Sequence, residues 1–208
     1  MSKIQQHSKI VTPLALAVIA LAVASMFRDS TPGPIQDQID LYYEVMALRV
    51  VRVCESLPPE ASVALLANQS ELNKREFKDM VRRVKKMGIT VLHIETIANS
   101  GDAEWGDQTG FPYRDFLRVA EKYPGLNAVV SLCGTPYWPK KTTLPEPASL
   151  PDLLVTGDIE MPRRLLRMLD TGLVACALVP REDPPMYDAT DAAQLLDRDY
   201  DMLVGPSS

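Results

Sequence analysis

The sequence predicts a doubly wound α/β domain, built on a mostly parallel sheet of five to six strands and preceded by an N-terminal transmembrane helix. Two observations predict this fold class. Short, continuously apolar runs alternate with amphipathic stretches, which is typical of parallel strands covered by helices on both faces. An uncharged apolar run lies near the amino terminus and is long enough to span a bilayer as a helix.

The N-terminal apolar run extends from Ile10 to Phe27 and follows Lys3 and Lys9. Because flanking cations favour the cytoplasmic side, residues 1–9 are predicted to be cytoplasmic and the C-terminal domain periplasmic. The chain is therefore expected in the inner membrane as a single-pass protein. The residues expected to face the bilayer are Ile10, Leu14, Leu16, Ile19, Leu21 and Phe27.

A second interpretation of this segment stays open. Ala22 and Ala24, followed by Ser25, fit the small-x-small pattern of a signal-peptidase site, so cleavage after Ala24 would release the domain. The apolar run continues through Phe27, which favours an uncleaved anchor. Both alternatives place the domain outside the cytoplasm.

The remaining chain has room for one domain. Residues 28–34 are a predicted linker, since Pro32, Gly33 and Pro34 interrupt helical hydrogen bonding. Residues 35–58 are predicted to form an amphipathic helix, with apolar residues at a period near 3.6, that packs on its own domain. Residues 59–208 form the predicted α/β domain.

Strands and helices alternate along that domain, which implies right-handed crossovers. The predicted strands are 62–67, 90–94, 128–132, 152–156 and 174–179, with a further edge strand at 201–204. The predicted helices are 71–87, 113–123, 160–169 and 191–197, with Ser70 and Asp158 as candidate N-caps.

Two loops are long, at residues 98–111 and 135–151, and long ordered loops in compact domains are often functional. The second loop is rich in proline and carries Tyr137 and Trp138, which look exposed. Tyrosine and tryptophan are favoured at interfaces, so these two residues are the candidate partner contact.

Composition and motifs argue against several functions. The net charge of -5 and the lack of a basic stripe argue against nucleic acid as a partner. No glycine-rich fingerprint or P-loop follows a strand, no Gly-x-Ser-x-Gly elbow is present, and no cysteines stand at metal-ligand spacing. The sequence therefore predicts a protein that is not an enzyme and has no cofactor or metal site.

One enzymatic alternative rests on His93 and Cys133. Cys133 stands at a strand end before Gly134, where a nucleophile could lie, and His93 is the one histidine of the folded domain. A mid-strand histidine is more often a hydrogen-bonded core residue, and the three cysteines are expected to be buried thiols. The alternative requires both side chains to reach a cleft.

The stretch from Ser62 to Arg181 resembles one lobe of a type I periplasmic substrate-binding protein, a Rossmann-like fold. The residues that carry the resemblance are Val63–Gln69 leading into the 71–87 helix, Lys86–Val91, Asn127–Gly134 and Leu169–Val174. That family binds its ligand between two lobes. This chain has room for one lobe, so the resemblance implies the fold and departs from the family in architecture.

Ligands of open parallel sheets bind beyond the carboxyl ends of the strands. The candidate ligand rim at those ends is Asn68, Ser70, Glu95, Gly134, Thr135, Asp158 and Arg181. The favoured function is a non-enzymatic membrane subunit whose extracytoplasmic domain makes protein contacts in a membrane-associated assembly. The alternative is a periplasmic protein that binds or senses a small molecule at this rim.

Overall fold

The computed structural model describes residues 34–97, 110–137, 150–156, 162–182, 184–185 and 191–206. The predicted membrane segment, the middle of both long loops, Trp138 and Asp158 lie outside these ranges. No helix within them is long and apolar enough to cross a membrane. The chain divides into two compact units, Met1–Ile39 and Asp40–Ser208.

The second unit contains a mostly parallel sheet, as the sequence predicts. In chain order the described strands are β1 (Ser62–Ala67), β2 (Thr90–Thr96), β3 (Phe111–Pro112), β4 (Ala128–Ser131), β5 (Pro136–Tyr137), β6 (Asp152–Val155), β7 (Cys176–Pro180) and β8 (Tyr200–Val204). Six of them form one sheet in the order β2-β1-β4-β6-β7-β8. All neighbours pair in parallel except β7 and β8, which are antiparallel.

Helices cover both faces of the sheet. They are α1 (Pro34–Cys54), α2 (Arg75–Lys86), α3 (Tyr113–Lys122), α4 (Pro162–Asp170) and α5 (Ala192–Asp199). Alternate residues of each strand point to opposite faces, so Leu65 packs with α1 and α2, and Leu66 packs with α3. The result is a three-layer doubly wound domain.

From Asp40 onward, α1 belongs to the helical layer that also contains α2 and α5. Glu44 pairs with Arg83 of α2 at 3.1 Å, and Arg52 pairs with Asp197 of α5 at 2.8 Å. Val50 is fully buried between the helix and the sheet. The predicted packing of this helix on its own domain is therefore confirmed for the part that begins at Asp40.

The turn after β1 corrects one prediction. The helix predicted at 71–87 begins at Arg75, because Asn68–Lys74 forms hydrogen-bonded turns, with Glu71 N donating to Asn68 O at 3.0 Å. The N-cap position is Lys74, which makes no side-chain cap. The prediction that Ser70 is the N-cap of this helix is wrong.

A second, two-stranded sheet was missed by the sequence pattern. Phe111 and Pro112 of β3 pair in parallel with Pro136 and Tyr137 of β5. Gly110 precedes β3 with φ at +145°, and a Cβ atom there would lie 2.3 Å from the carbonyl oxygen of Thr135. Only glycine fits this approach. The small sheet joins the end of one long loop to the start of the other.

Candidate functional site

The strand order reverses between β1 and β4, and this reversal places the candidate site. From β1 the chain crosses to β2 on one side, and after β2 it returns to β4 on the other side. In open α/β sheets such a switch point leaves a crevice outside the carboxyl ends of the two central strands. Asn68 follows β1 and is exposed, while Gly134 and Thr135 follow β4 and are buried.

The floor of this crevice is a tight turn at the end of β4. The hydroxyl of Ser131 donates to Gly134 O at 2.8 Å and accepts from Cys133 N at 3.2 Å. Gly134 has φ at +82°, a left-handed conformation that favours glycine. Thr156 of the next strand donates its hydroxyl to Ser131 O at 3.3 Å. These bonds hold the backbone of the turn in one position.

One wall of the crevice is the turn that follows β1. The hydroxyl of Tyr43 donates to Glu71 Oε2 at 2.5 Å, and Lys74 Nζ lies 2.7 Å from Glu71 Oε1. Burial by itself would raise the pKa of Glu71, but the hydrogen bonds from Lys74 and Tyr43 outweigh it and lower that pKa. Glu71 is therefore an ionised carboxylate that ties α1 to the end of β1.

Cys133 lies between two acidic groups at the switch point. Its Sγ donates to Leu66 O at 3.6 Å. Burial, followed by the negative charges of Glu71 and Asp115, raises the pKa of the Cys133 thiol to about 12. The thiol is therefore protonated at neutral pH, which is the opposite of what a nucleophilic cysteine needs.

The structure does not bring Cys133 and His93 together. The His93 ring stacks on Tyr123, with ring centroids 3.5 Å apart and planes 10° apart. His93 is in β2, and β1 lies between β2 and β4, so roughly 10 Å of sheet separates the two strands. This geometry disfavours the enzymatic alternative that rests on the pair.

Asp115 is an acidic group that the sequence reasoning missed. It lies in the first turn of α3, is buried, and pairs with Arg118 Nε at 3.5 Å. Its i,i+4 spacing to Val119, which points inward, was the available signal. Glu71 and Asp115 are therefore the two carboxylates whose charge acts on Cys133.

Glu95, a predicted rim residue, is engaged by its own domain. It accepts from Arg118 at 3.0 Å, Lys122 at 2.7 Å and the Tyr123 hydroxyl at 2.5 Å. Burial would raise the pKa of Glu95, but the hydrogen bonds from Lys122, Tyr123 and Arg118 outweigh it and lower that pKa to about 2. This carboxylate joins β2 to α3.

The other predicted rim residues are spread along the carboxyl edge of the sheet. Ser70 is exposed in the turn after β1, and Arg181 follows β7 and pairs with Asp201 at 2.8 Å. Asp158 and Trp138 lie outside the described residues, and Tyr137 is half-buried in β5 rather than exposed. Asn68 follows β1, and Gly134 and Thr135 follow the neighbouring strand β4, whereas Glu95 belongs to β2 and Arg181 follows β7.

The described ranges contain no group of three or more His, Cys, Asp or Glu side chains arranged to hold a metal ion. The prediction that the chain has no metal site stays a prediction.

No protein-family model and no curated protein matches the chain. Among solved structures, it is similar to the glucose-galactose binding protein GanP of Geobacillus stearothermophilus, with a TM-score of 0.38 and 16% identity over 67% of this chain and 47% of that one. It is also similar to an ABC-transporter solute-binding protein of Burkholderia graminis in complex with D-arabinose, with a TM-score of 0.39 and 16% identity over 66% and 46%.

A third similar structure is the periplasmic ribose ABC transporter protein of Conexibacter woesei, with a TM-score of 0.41 and 10% identity over 66% of this chain and 45% of that one. The chain spans less than half the length of each of these three proteins. The similarity to proteins of this kind is partial in each of the three structures.

Proposed function

We propose that this chain is a membrane-tethered, extracytoplasmic protein that binds an uncharged, polar small molecule in the crevice between the ends of β1 and β4. The observation that carries the proposal is the reversal of strand order at this point, with Asn68 on one strand end and Thr135 on the other. An amide and a hydroxyl are groups that orient a ligand by hydrogen bonds.

The charges around the crevice support an uncharged ligand. Glu71 and Asp115 place negative charge beside Cys133. The cation nearest in sequence, Lys74, is already paired with Glu71. Among the described residues, Glu71 is paired with Lys74 and Asp115 with Arg118, so the charges beside Cys133 are largely compensated, and this balance favours an uncharged ligand. A polyhydroxylated compound such as a sugar fits these groups.

The contact between the ends of the two long loops supports the same location. β3 and β5 hold the end of one long loop beside the start of the other, and Gly110 touches Thr135 at the rim of the crevice. Binding residues are often carried on loops that a rigid scaffold positions. Because the Cys133 thiol stays protonated, we propose binding without covalent chemistry.

The test is a thermal-unfolding screen of the full chain in mild detergent with D-glucose, D-galactose, D-arabinose and D-ribose. We expect one of them to raise the unfolding temperature, and Asn68→Ala and Thr135→Val to remove most of that rise. Asn127→Ala is the matched control. The side-chain oxygen of Asn127 accepts from Ser62 N at 2.9 Å at the amino ends of β1 and β4, whereas the candidate site is at their carboxyl ends. We expect Asn127→Ala to unfold at a lower temperature than wild type in the absence of sugar, and to keep the sugar-induced rise in unfolding temperature. No rise with any sugar would refute a sugar ligand.

A second candidate function is that of a membrane subunit that makes protein contacts. The edge strand β8 is the observation that supports it. Among the described residues, β8 pairs on one side alone, with β7. Met202 and Val204 of this strand are 44% and 58% exposed. An apolar edge strand is a template for strand addition by another chain.

The subunit function is tested by purifying the tagged chain from its own membranes in mild detergent. We expect Met202→Lys with Val204→Lys to remove a stoichiometric partner that the wild-type chain retains. Met87→Lys is the control, because Met87 is also exposed, at 40%, and it follows α2, which contacts β2 at the other side of the sheet. Equal recovery of the partner with both variants would contradict a role for β8.

A further inference from the structure

Four arginines belong to α1, α5 or the end of β7 or pair with residues of α5 and β8: Arg49, Arg52, Arg181 and Arg198. Three of them have an aspartate partner: Arg52 with Asp197 at 2.8 Å, Arg181 with Asp201 at 2.8 Å, and Arg198 with Asp199 at 2.6 Å. The fourth, Arg49, has no carboxylate within 4.0 Å in the described part of the chain. Arg52 also lies 3.5 Å from Glu55, so Arg49 is the one arginine of these four for which the described residues offer no carboxylate partner.

Arg49 is also the most enclosed of the four, with 4% of its surface exposed. Its guanidinium lies over the Tyr200 ring, 4.6 Å from the centroid, and Nη1 donates to the Tyr200 hydroxyl at 3.3 Å. Nε and Nη2 are buried and have no hydrogen-bond partner among the described residues.

A buried arginine with two unsatisfied donors requires an explanation. The guanidinium stays protonated in proteins, so it does not escape the cost of burial by losing its proton. Breaking a buried charge pair by removing one partner is strongly destabilising, and an apolar side chain of similar size is usually the more stable choice. Tyr200 offers its ring and one hydroxyl to Arg49, and neither carries a negative charge.

The two orphaned donors define the shape of the missing partner. Nε–H and Nη2–H lie on the same edge of the planar guanidinium and point in parallel, which matches two oxygens of one carboxylate or phosphate. Nη1, on the other edge, is the nitrogen that Tyr200 already occupies. The free side of Arg49 is thus a complete bidentate fork.

We propose that Arg49 and Tyr200 form a binding site for a small oxyanion, a carboxylate or a phosphate, which takes the side-on fork of the guanidinium. Tyr200 is half-exposed, so the arginine lies one ring beneath the surface on the β7–β8 side of the sheet. The site is separate from the crevice at β1 and β4, and it takes an anion, whereas the ligand proposed for the crevice is uncharged.

The experiment measures thermal unfolding of the full chain in mild detergent, with inorganic phosphate, acetate or chloride at equal ionic strength. We expect phosphate or acetate to raise the unfolding temperature by about 3 °C relative to chloride at saturation. Arg49→Met removes the fork and abolishes this difference. Arg82→Met, the same change at an exposed arginine of α2, leaves it intact.

Arg49→Lys keeps the charge and loses the fork, so it provides a second variant if Arg49→Met does not fold. We expect it to bind the anion at least about tenfold more weakly than the wild type in isothermal titration. The proposal is overturned if Arg49→Met unfolds at a higher temperature than wild type and responds to phosphate and acetate as wild type does. It is equally overturned if chloride raises the unfolding temperature as much as the oxyanions do.

Discussion

The hydroxyl of Tyr43 donates a hydrogen bond to Glu71 Oε2 at 2.5 Å, across 28 positions of the chain. Tyr43 belongs to α1, and Glu71 belongs to the turn between β1 and α2. This bond joins the helix that follows the predicted membrane segment to the wall of the candidate ligand site. A ligand that displaced Glu71 would therefore act directly on α1.

We expect Tyr43→Phe to lower the free energy of unfolding at pH 7 by about 1–2 kcal/mol, because it removes one hydrogen bond to a charged group. The pKa of Glu71 is lowered in the folded chain, so its contribution is present above the unfolded pKa and is lost as the pH falls. The loss in the variant should thus shrink on acidification. Urea unfolding of both proteins at pH 7 and pH 3.5 measures this loss of unfolding free energy. A loss of equal size at both pH values would contradict a hydrogen bond to an ionised Glu71.

Tyr42→Phe is the matched control, since Tyr42 is the neighbouring tyrosine and is 53% exposed. We expect its effect on stability to stay within about 0.5 kcal/mol at both pH values.

Glu95→Gln tests the network that joins β2 to α3. Because the folded pKa of Glu95 is about 2 and its ordinary value is 4.5, its contribution is complete above about pH 4.5 and disappears between pH 4.5 and 2. We expect the variant to lose about 2 kcal/mol at pH 7. Near pH 2 the two proteins should be equally stable. Glu121→Gln, at an exposed position of α3, should change the free energy of unfolding little at either pH.

The sheet could be predicted from sequence because its strands are short apolar runs with strong helices between them. Residues 62–67 form β1 as predicted, and the run predicted at 201–204 pairs as the edge strand β8, one residue longer. The predicted 174–179 strand is observed at Cys176–Pro180, since Leu173 N and Val174 N both donate to Met168 O and close the turn after α4. End positions depend on turn hydrogen bonds that periodicity does not encode.

The candidate site was harder to predict, because its members are joined by long-range contacts. Asn68, Gly134 and Thr135 were found by their positions after strands. Glu71 looked like a helix residue, and Asp115 like a first-turn carboxylate. Whether an arginine pairs with an aspartate depends on contacts between residues far apart in sequence. The two unpaired donors of Arg49 could therefore not be predicted from a local pattern. β3 and β5 are two residues each and too short to show a period.

Gly110→Ala tests the junction between the two loop roots. A Cβ atom would lie 2.3 Å from Thr135 O, and φ at +145° disfavours any side chain. We expect a loss of about 3 kcal/mol in unfolding free energy. Gly88→Ala is the control, because Gly88 has φ at +97° but nothing within 4 Å, and it should lose only about 1 kcal/mol. Equal losses would show that strain alone, without the contact, sets the cost.

The three cysteines should resist alkylation in the folded chain. Burial raises the pKa of Cys54 and Cys133 to about 12 and that of Cys176 to about 11, with neighbouring charge adding to the effect on Cys54 and Cys133. Because the raised pKa keeps the Cys133 thiol protonated at pH 8, we expect iodoacetamide to react more than about 100-fold slower than with a free thiol. In guanidinium chloride all three should react at the ordinary rate, which mass spectrometry counts. Rapid labelling of Cys133 alone in the native chain would contradict a protonated, unreactive thiol at this position and would support the enzymatic alternative based on Cys133.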